Sequence, residues 1–392
     1  MRLMSKFWAI RMVIPIFTFV GTVDATPSFR GLGLLNAGAN SYSMAAGVSA
    51  NGSVVVGTSN NLPVIWTANG IENLGILPSS GTPVYTSAYD VSADGSVVVG
   101  TSLSSNQAQA FRWTASSGIT ALGGVATGND SQAYGISSDG SVVVGYAEIS
   151  QETEAVAWTE SAGMLDIGGF SSANPSSIAE GVSADGKVVV GVGYATSNTL
   201  AGFRWTAASG IQNLNSNAAP GGIVTRGAYA ASEDGTVIVG EGGLANGTTE
   251  AFRWTATGIS GLGTLPGFSS SSVALGVSAD GSTIVGYASS AANSVAFVWN
   301  PVNGMQNLQQ LLSETDGLNL TGWTLIDASD VSPDGQTIVG EGIDPSGFQE
   351  AWIATLPEPN GASIGGLAIL LLPALVRLQS RSKHPAPAID RI

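Results

Sequence analysis

The chain has no cysteine among its 392 residues and one histidine, His384, near its end. These two absences exclude disulfides and thiolate nucleophiles, and across the body of the chain they exclude Ser-His-Asp triads, Cys-His pairs and imidazole zinc sites. Charge is scarce, at 10% of residues, and it is one-sided. Between Thr26 and Thr355 stand six basic residues against 25 acidic ones, a net charge of −19. A field of that sign repels phosphate backbones, so nucleic acid is not an expected partner. No segment keeps a 3.6-residue apolar period, which excludes a helical body.

What the chain has in abundance is glycine, 53 residues, and repetition. "VSADGSVVVG" at Val91–Gly100 returns as "VSANGSVVVG", "ISSDGSVVVG", "VSADGKVVVG", "ASEDGTVIVG", "VSADGSTIVG" and "VSPDGQTIVG". The closing glycines are Gly57, Gly100, Gly145, Gly191, Gly240, Gly286 and Gly340, at steps of 43, 45, 46, 49, 46 and 54 residues. A fixed period of this size signals an array of supersecondary units.

One period, Tyr85 to Gly123, reads as four strands: "SAYDVS", "SVVVGTS", "QAFRWT" and "ITALG". Turn residues separate them, and the second strand is apolar on both faces, so it must be covered on both. Four antiparallel strands per period, stacked around an axis, predict an all-β fold: a seven-bladed β-propeller of four-stranded antiparallel blades. A β-solenoid is the alternative. The ends favour a ring. The last unit stops after "EAWIAT" without a fourth strand, and "FRGLGLLNAG" near the start is a fourth strand with no unit before it. Leu32–Leu35 is therefore expected to complete the blade built from Asp327–Thr355. A solenoid would instead need distinct caps.

Trp66, Trp113, Trp158, Trp205, Trp254 and Trp299 recur in the third strand; Trp352 takes the place of Phe252 in the last unit. Fixed register points to packing between neighbouring blades. Arg112, Arg204 and Arg253 precede three of them and are expected to pair with acids such as Glu154, Glu250 and Glu350. Asp94, Asp139, Asp185, Asp234, Asp280 and Asp334 each precede glycine, and Asn51-Gly52 replaces the pair once. Calcium loops need several oxygen ligands at alternating positions, whereas each unit offers one aspartate. Asn-Gly and Asp-Gly favour tight hairpins with positive φ at both central residues, so these pairs read as turns and no metal is expected. No phosphate loop is present, and no cofactor is expected.

The first 25 residues read as an export signal. Arg2, Lys6 and Arg11 precede the uncharged stretch "MVIPIFTFVGTV", and Val23 with Ala25 has the spacing a signal peptidase cuts after. Cleavage is expected after Ala25; a retained anchor is the alternative. Residues 26–356 then form the propeller and 357–392 a tail. In the tail "PEP" precedes the uncharged run "NGASIGGLAILLLPALV", followed by Arg377, Arg381 and Lys383. Basic residues there suit the cytoplasmic side of a membrane.

The repeat core, strand then "DG.xIVG" then "AF.W" then "G...LG", resembles the HAF-type extracellular repeat over most of Phe29–Thr355, and "VSPDGQTIVG" also resembles TolB-like propeller repeats. The tail resembles a PEP-CTERM sorting signal at Pro357, Glu358, Pro359, Arg377 and Arg381, although the chain continues past the basic cluster through "HPAPAIDRI". The resemblance implies an exported protein whose tail enters the inner membrane transiently, with signal peptidase and an exosortase-like enzyme as processing partners. It implies an exopolysaccharide setting and no catalytic residues. Together these features give the expectation of a non-enzymatic surface or matrix protein with a glycan or protein ligand. The rival expectation is an extracellular carboxylate-dependent glycan hydrolase or lyase, distinguished by carboxylates converging at the channel mouth with one raised pKa.

Overall fold

A computed structural model describes residues 26–357, except 79–82, 105–106, 125–129, 172–173, 197–198 and 218–221. Ala25, Glu358, Pro359, Arg377, Arg381 and the apolar runs at both ends lie outside the described residues, and Pro357 is the last of them, exposed. Among the described residues no helix is long and apolar enough to cross a membrane.

The chain is all-β. Four-stranded antiparallel sheets span Ser43–Asn73, Pro83–Ala121, Ser131–Gly168 and Ser177–Asn213, each a simple up-and-down order. The next two periods, Val224–Gly261 and Ser271–Asn307, do not form separate sheets as the even spacing predicted. They join as one eight-stranded sheet, through a single parallel pairing of Thr249 with Ser271. The last sheet takes three strands from Thr324–Thr355 and its fourth from the start of the chain.

That closure lies upstream of the expected segment. Ser28–Gly31 pairs antiparallel with Gln349–Thr355, from Ser28 opposite Thr355 to Gly31 opposite Trp352. The Leu32 N–H adds one more bond to the Ala351 carbonyl at 2.8 Å. The chain then leaves the sheet, because Gly33 takes φ +82° and its N–H turns to the Glu350 carboxylate at 2.8 Å. Leu32 instead fills the core between the first and last sheets, with Val55, Val64, Trp66 and Ala351.

The repeated "VSADGSVVVG" forms the hairpin between first and second strands, by a different turn from the one expected. Gly95 has φ +75°, but Asp94 does not share a positive φ. The turn is four residues long, bracketed by Ser92. The Gly95 N–H donates to the Ser92 carbonyl at 2.8 Å and the Val97 N–H to the Ser92 hydroxyl at 3.0 Å. That hydroxyl donates to Asp94 at 2.7 Å, and the Ser96 N–H donates to the same carboxylate oxygen at 2.9 Å. An Asx-type cap therefore holds the loop, and only glycine needs the left-handed region. The closing glycine has a separate cause. A Cβ on Gly100 would run into the Ser87 carbonyl and press on the Phe111 ring. The first strand bulges there, where pairing skips from Ala88 to Asp90.

Phe111, Phe203, Phe252, Phe297 and Trp352 stand opposite these glycines and are fully buried. The once-per-unit tryptophans lie between neighbouring sheets, as with Trp113 against Val56 and Ile65. Trp66 is buried, whereas Trp113, Trp158, Trp205, Trp254 and Trp299 are half-buried. Buried hydroxyls pin sheet to sheet. Ser43 accepts the Ala351 N–H at 3.0 Å and donates to Gly33 at 2.9 Å. Ser177 and Ser272 repeat that pair of bonds, with Ala155 and Gly168 and with Ala251 and Gly263.

Leu308–Thr315, in the long step before the last unit, is a short helical segment. It buries Leu308 and Leu312, and Trp323 beyond it packs edge-on against Phe29 at 5.2 Å. Trp323 thus covers the closing strand.

Candidate functional site: an acidic, tyrosine-lined channel

The first strand of every unit faces a common central channel. Its narrow end is lined by Val48, Val91, Ile136, Val182, Val277 and Val331 with their neighbours, in a cavity of about 200 Å³. A girdle of backbone hydrogen bonds rings this end: Ala50 to Ala93, Ala93 to Ser138, Ser138 to Ala184, Asp185 to Glu233, Glu233 to Ala279 and Ala279 to Pro333, at 2.9–3.4 Å. Pro333 has no N–H to pass on, so the girdle stops there.

The bulged first strand presents the channel side chains. An alanine recurs (Ala45, Ala88, Ala133, Ala179, Ala228, Ala274, Ala328), packed and buried. The residue after it varies: Ala46, Tyr89, Tyr134, Glu180, Tyr229, Leu275 and Ser329. All seven line a cavity of about 490 Å³, beside Tyr85, Asp327 and Glu341. One position further on, Asp90 and Asp330 replace the glycine or alanine found in the other units. Gly47 lies between them, and a Cβ there would press on the Asp90 backbone at 3.0 Å.

Asp90 and Asp330 tie sheet to sheet. Asp90 accepts the Ile136 N–H at 2.9 Å and the Val91 N–H at 2.7 Å. Asp330 accepts the Val48 N–H at 2.9 Å across the ring closure and the Val331 N–H at 2.8 Å. Loss of solvent around them lifts Asp90 to about 7 and, with the Asp90 charge added, Asp330 to about 8.

The larger cavity carries three further carboxyls. Burial lifts Glu180 to about 7, and no hydrogen bond offsets it. Burial and then the Glu341 charge lift Asp327 to about 7, although it accepts the Glu341 N–H and the Ser329 hydroxyl, both at 3.2 Å. Glu341 is raised by burial and accepts from the Gln349 amide at 2.6 Å. Tyr89 and Tyr134 stand 5.3 Å apart, and Tyr134 and Tyr146 6.1 Å. Burial raises all three phenols, so they stay protonated donors at neutral pH. Among the described residues no lysine, arginine or histidine lines the channel cavities. Among the described residues no cluster of three or more acids or imidazoles could hold a metal ion.

Residues singled out in the sequence lie elsewhere. Asp94, Asp139, Asp185, Asp234, Asp280 and Asp334 each cap a hairpin through their own serine. The Ser92 hydroxyl and the Ser96 groups hold Asp94 below the usual carboxylate range, and Lys187 brings Asp185 to about 2. The expected arginine–glutamate pairs are not formed. Lys187–Asp185, at 2.8 Å, is the one ion pair among the described residues. Glu350 and Glu250 are occupied by the N–H groups of Gly33 and Gly263, both at 2.8 Å, and Arg253 reaches the Gly281 carbonyl at 3.4 Å.

No family model matches the chain, and no curated protein matches it. Solved structures do. An oligogalacturonate lyase in complex with manganese aligns at TM-score 0.53 and 13% identity, over 86% of this chain and 98% of that one. An oligogalacturonate lyase from Vibrio parahaemolyticus aligns at 0.52 and 10%, with the same coverage. TolB from Acinetobacter baumannii aligns at 0.43 and 13%, over 67% of this chain, which spans 61% of TolB. The lyase likeness establishes a β-propeller scaffold. It also overturns the expectation of a non-enzymatic chain: this scaffold is one on which lyases are built, so enzymatic activity is open to it.

Proposed function

We propose that the chain is an exported β-propeller that processes a glycan at its channel by carboxylate acid–base chemistry. The observation that carries this reading is the convergence of Glu180, Asp327 and Glu341 on one tyrosine-edged cavity of about 490 Å³. Two of these carboxyls are lifted to about 7, close to the working point of a general acid. Asp327 beside Glu341 is the arrangement in which one carboxyl keeps its proton while its neighbour ionises. In this reading the glycosidic C–O bond breaks as Asp327 protonates the leaving oxygen, Glu341 or Glu180 takes a proton from the water that bonds to the anomeric carbon, and Tyr89 and Tyr134 hold the sugar faces. The solved lyases are named for oligogalacturonate, but this cavity has no basic side chain to hold a uronate, so the substrate proposed is not a uronate.

Counting the eight-stranded sheet as two blades makes the ring seven-bladed. Cleavage after Ala25 and sorting at Pro357–Pro359 with Arg377 and Arg381 would deliver it to the cell surface, in the exopolysaccharide setting that the tail suggests.

The test is turnover of a glycan panel by the purified chain and by Asp327→Asn, Glu341→Gln and Glu180→Gln. Product release by the parent, reduced at least 100-fold in Asp327→Asn, supports the reading. Binding without product, or full activity in all three variants, refutes it.

A further inference from the structure

We infer that the ligand of the channel is a cationic amino sugar, a glycan bearing free ammonium groups. The inference rests on the glycan reading and deepens it. Charge is the first argument. The channel cavities are lined by Asp90, Glu180, Glu233, Asp327, Asp330 and Glu341, with no basic side chain to balance them. A neutral sugar seated there would supply no counter-charge to those that are ionised, and an anionic one would add repulsion. An ammonium group supplies both the charge and up to three N–H donors.

The second argument is independent of charge on the carboxylates. Tyr85, Tyr89, Tyr134 and Tyr229 edge the same cavity. Aromatic faces attract cations, and they also stack on the apolar face of a sugar ring. Unspent hydrogen-bonding capacity is the third. Glu180 lines the cavity and, among the described residues, accepts no hydrogen bond, which leaves its oxygens for a ligand donor. The cavity thus offers acceptors and rings to a ligand rich in donors and positive charge.

Titration calorimetry tests this with three probes of matched length: glucosamine oligomers, N-acetylglucosamine oligomers and galacturonate oligomers. The glucosamine oligomer is expected to bind at least tenfold tighter than the acetylated one, and the galacturonate oligomer not to bind. Glu341→Gln and Glu180→Gln should each weaken glucosamine binding about tenfold, whereas Glu72→Gln and Glu160→Gln, which remove the same charge from the exposed surface, should not. Equal loss in all four variants would reduce the effect to general charge attraction and overturn the inference. Tighter binding of the acetylated or galacturonate oligomer would overturn it as well. Turnover is read separately on the same samples. Glucosamine oligomers bound but never cleaved would refute the acid–base reading and leave this inference standing. Cleavage of acetylated oligomers alone would do the reverse.

Discussion

The ring is fastened by few bonds, and Ser43 makes two of them. Its hydroxyl is fully buried, accepts from Ala351 at 3.0 Å and donates to Gly33 at 2.9 Å, joining residues 308 positions apart. Ser43→Ala would leave the buried Ala351 N–H and the partly buried Gly33 carbonyl without partners. The buried N–H costs about 1–3 kcal/mol and the carbonyl, which water partly reaches, about 1 kcal/mol, so about 2–4 kcal/mol is expected in total. For a domain of this size that is about 3–6 °C in Tm. Ser272→Ala breaks the same two bonds between consecutive units and should cost a similar amount. Location separates the two. Hydrogen exchange should accelerate at Ser28–Leu32 and Ala351 in Ser43→Ala, and near Ala251 and Gly263 in Ser272→Ala. An unchanged Tm for Ser43→Ala, with Leu32 and Ala351 still protected, would refute the argument that this hydroxyl fastens the ring.

Two further outcomes follow from burial and charge. Phe111→Ala should cost about 3–5 kcal/mol by denaturant melting, and Trp113→Ala less, because Phe111 is fully buried and Trp113 is half-open; the reverse order would refute the packing assignment. Stability should fall as pH rises from about 4 to about 8. Asp90, Glu180, Asp327 and Asp330 have folded values of about 7, 7, 7 and 8, above their unfolded ones. The folded state therefore holds extra protons across that window, and its advantage is fully present only below it. The hairpin aspartates, shifted downward, act at lower pH and leave the window clear. A Tm equal at pH 5 and pH 8.5, or a slope untouched by Asp330→Asn, would contradict this.

Much of the fold was legible because its causes are local. A hairpin needs its serine, its Asp-Gly and its strand-closing glycine within ten residues, so each unit carries its own signature. The unpaired strand at each end of the array was legible for a related reason: a strand must find a partner, and each end had one vacancy to fill. What the local pattern did not contain was where the closing strand leaves the sheet. That depends on Glu350 capturing the Gly33 N–H and on Leu32 filling a core made by two distant units. The turn type was misjudged because Asp-Gly suits both the two-residue hairpin and the four-residue loop. Only the Ser92 hydroxyl, which brackets the loop, decides between them.

The candidate site was hidden by the regularity that exposed the fold. Repeated residues attract attention, and the repeated tryptophans and aspartates serve packing, caps or turns. Function is carried where the repeat is broken. After each conserved-register alanine the chain places Ala46, Tyr89, Tyr134, Glu180, Tyr229, Leu275 and Ser329, seven positions in one structural place with five residue types. A packing position would hold one type, as the alanines do, because every unit offers it the same neighbours. Variation inside a strict repeat therefore marks the surface that faces no repeated neighbour, and in a ring that surface is the axis. The same reasoning applies one residue on, where glycine or alanine stands five times and aspartate twice. A Cβ on Gly181 would clash with the Tyr229 carbonyl of the next unit, and on Gly47, Gly135 and Gly276 it would sit tight against the next unit's backbone at 3.0–3.2 Å. Asp90 and Asp330 enter that crowded ring only by accepting the next unit's N–H, from Ile136 and from Val48. Acidity at the channel's narrow point is thus bound to the closure of the ring. Asp330→Ala should loosen the joint between the first and last sheets as well as change the field in the channel.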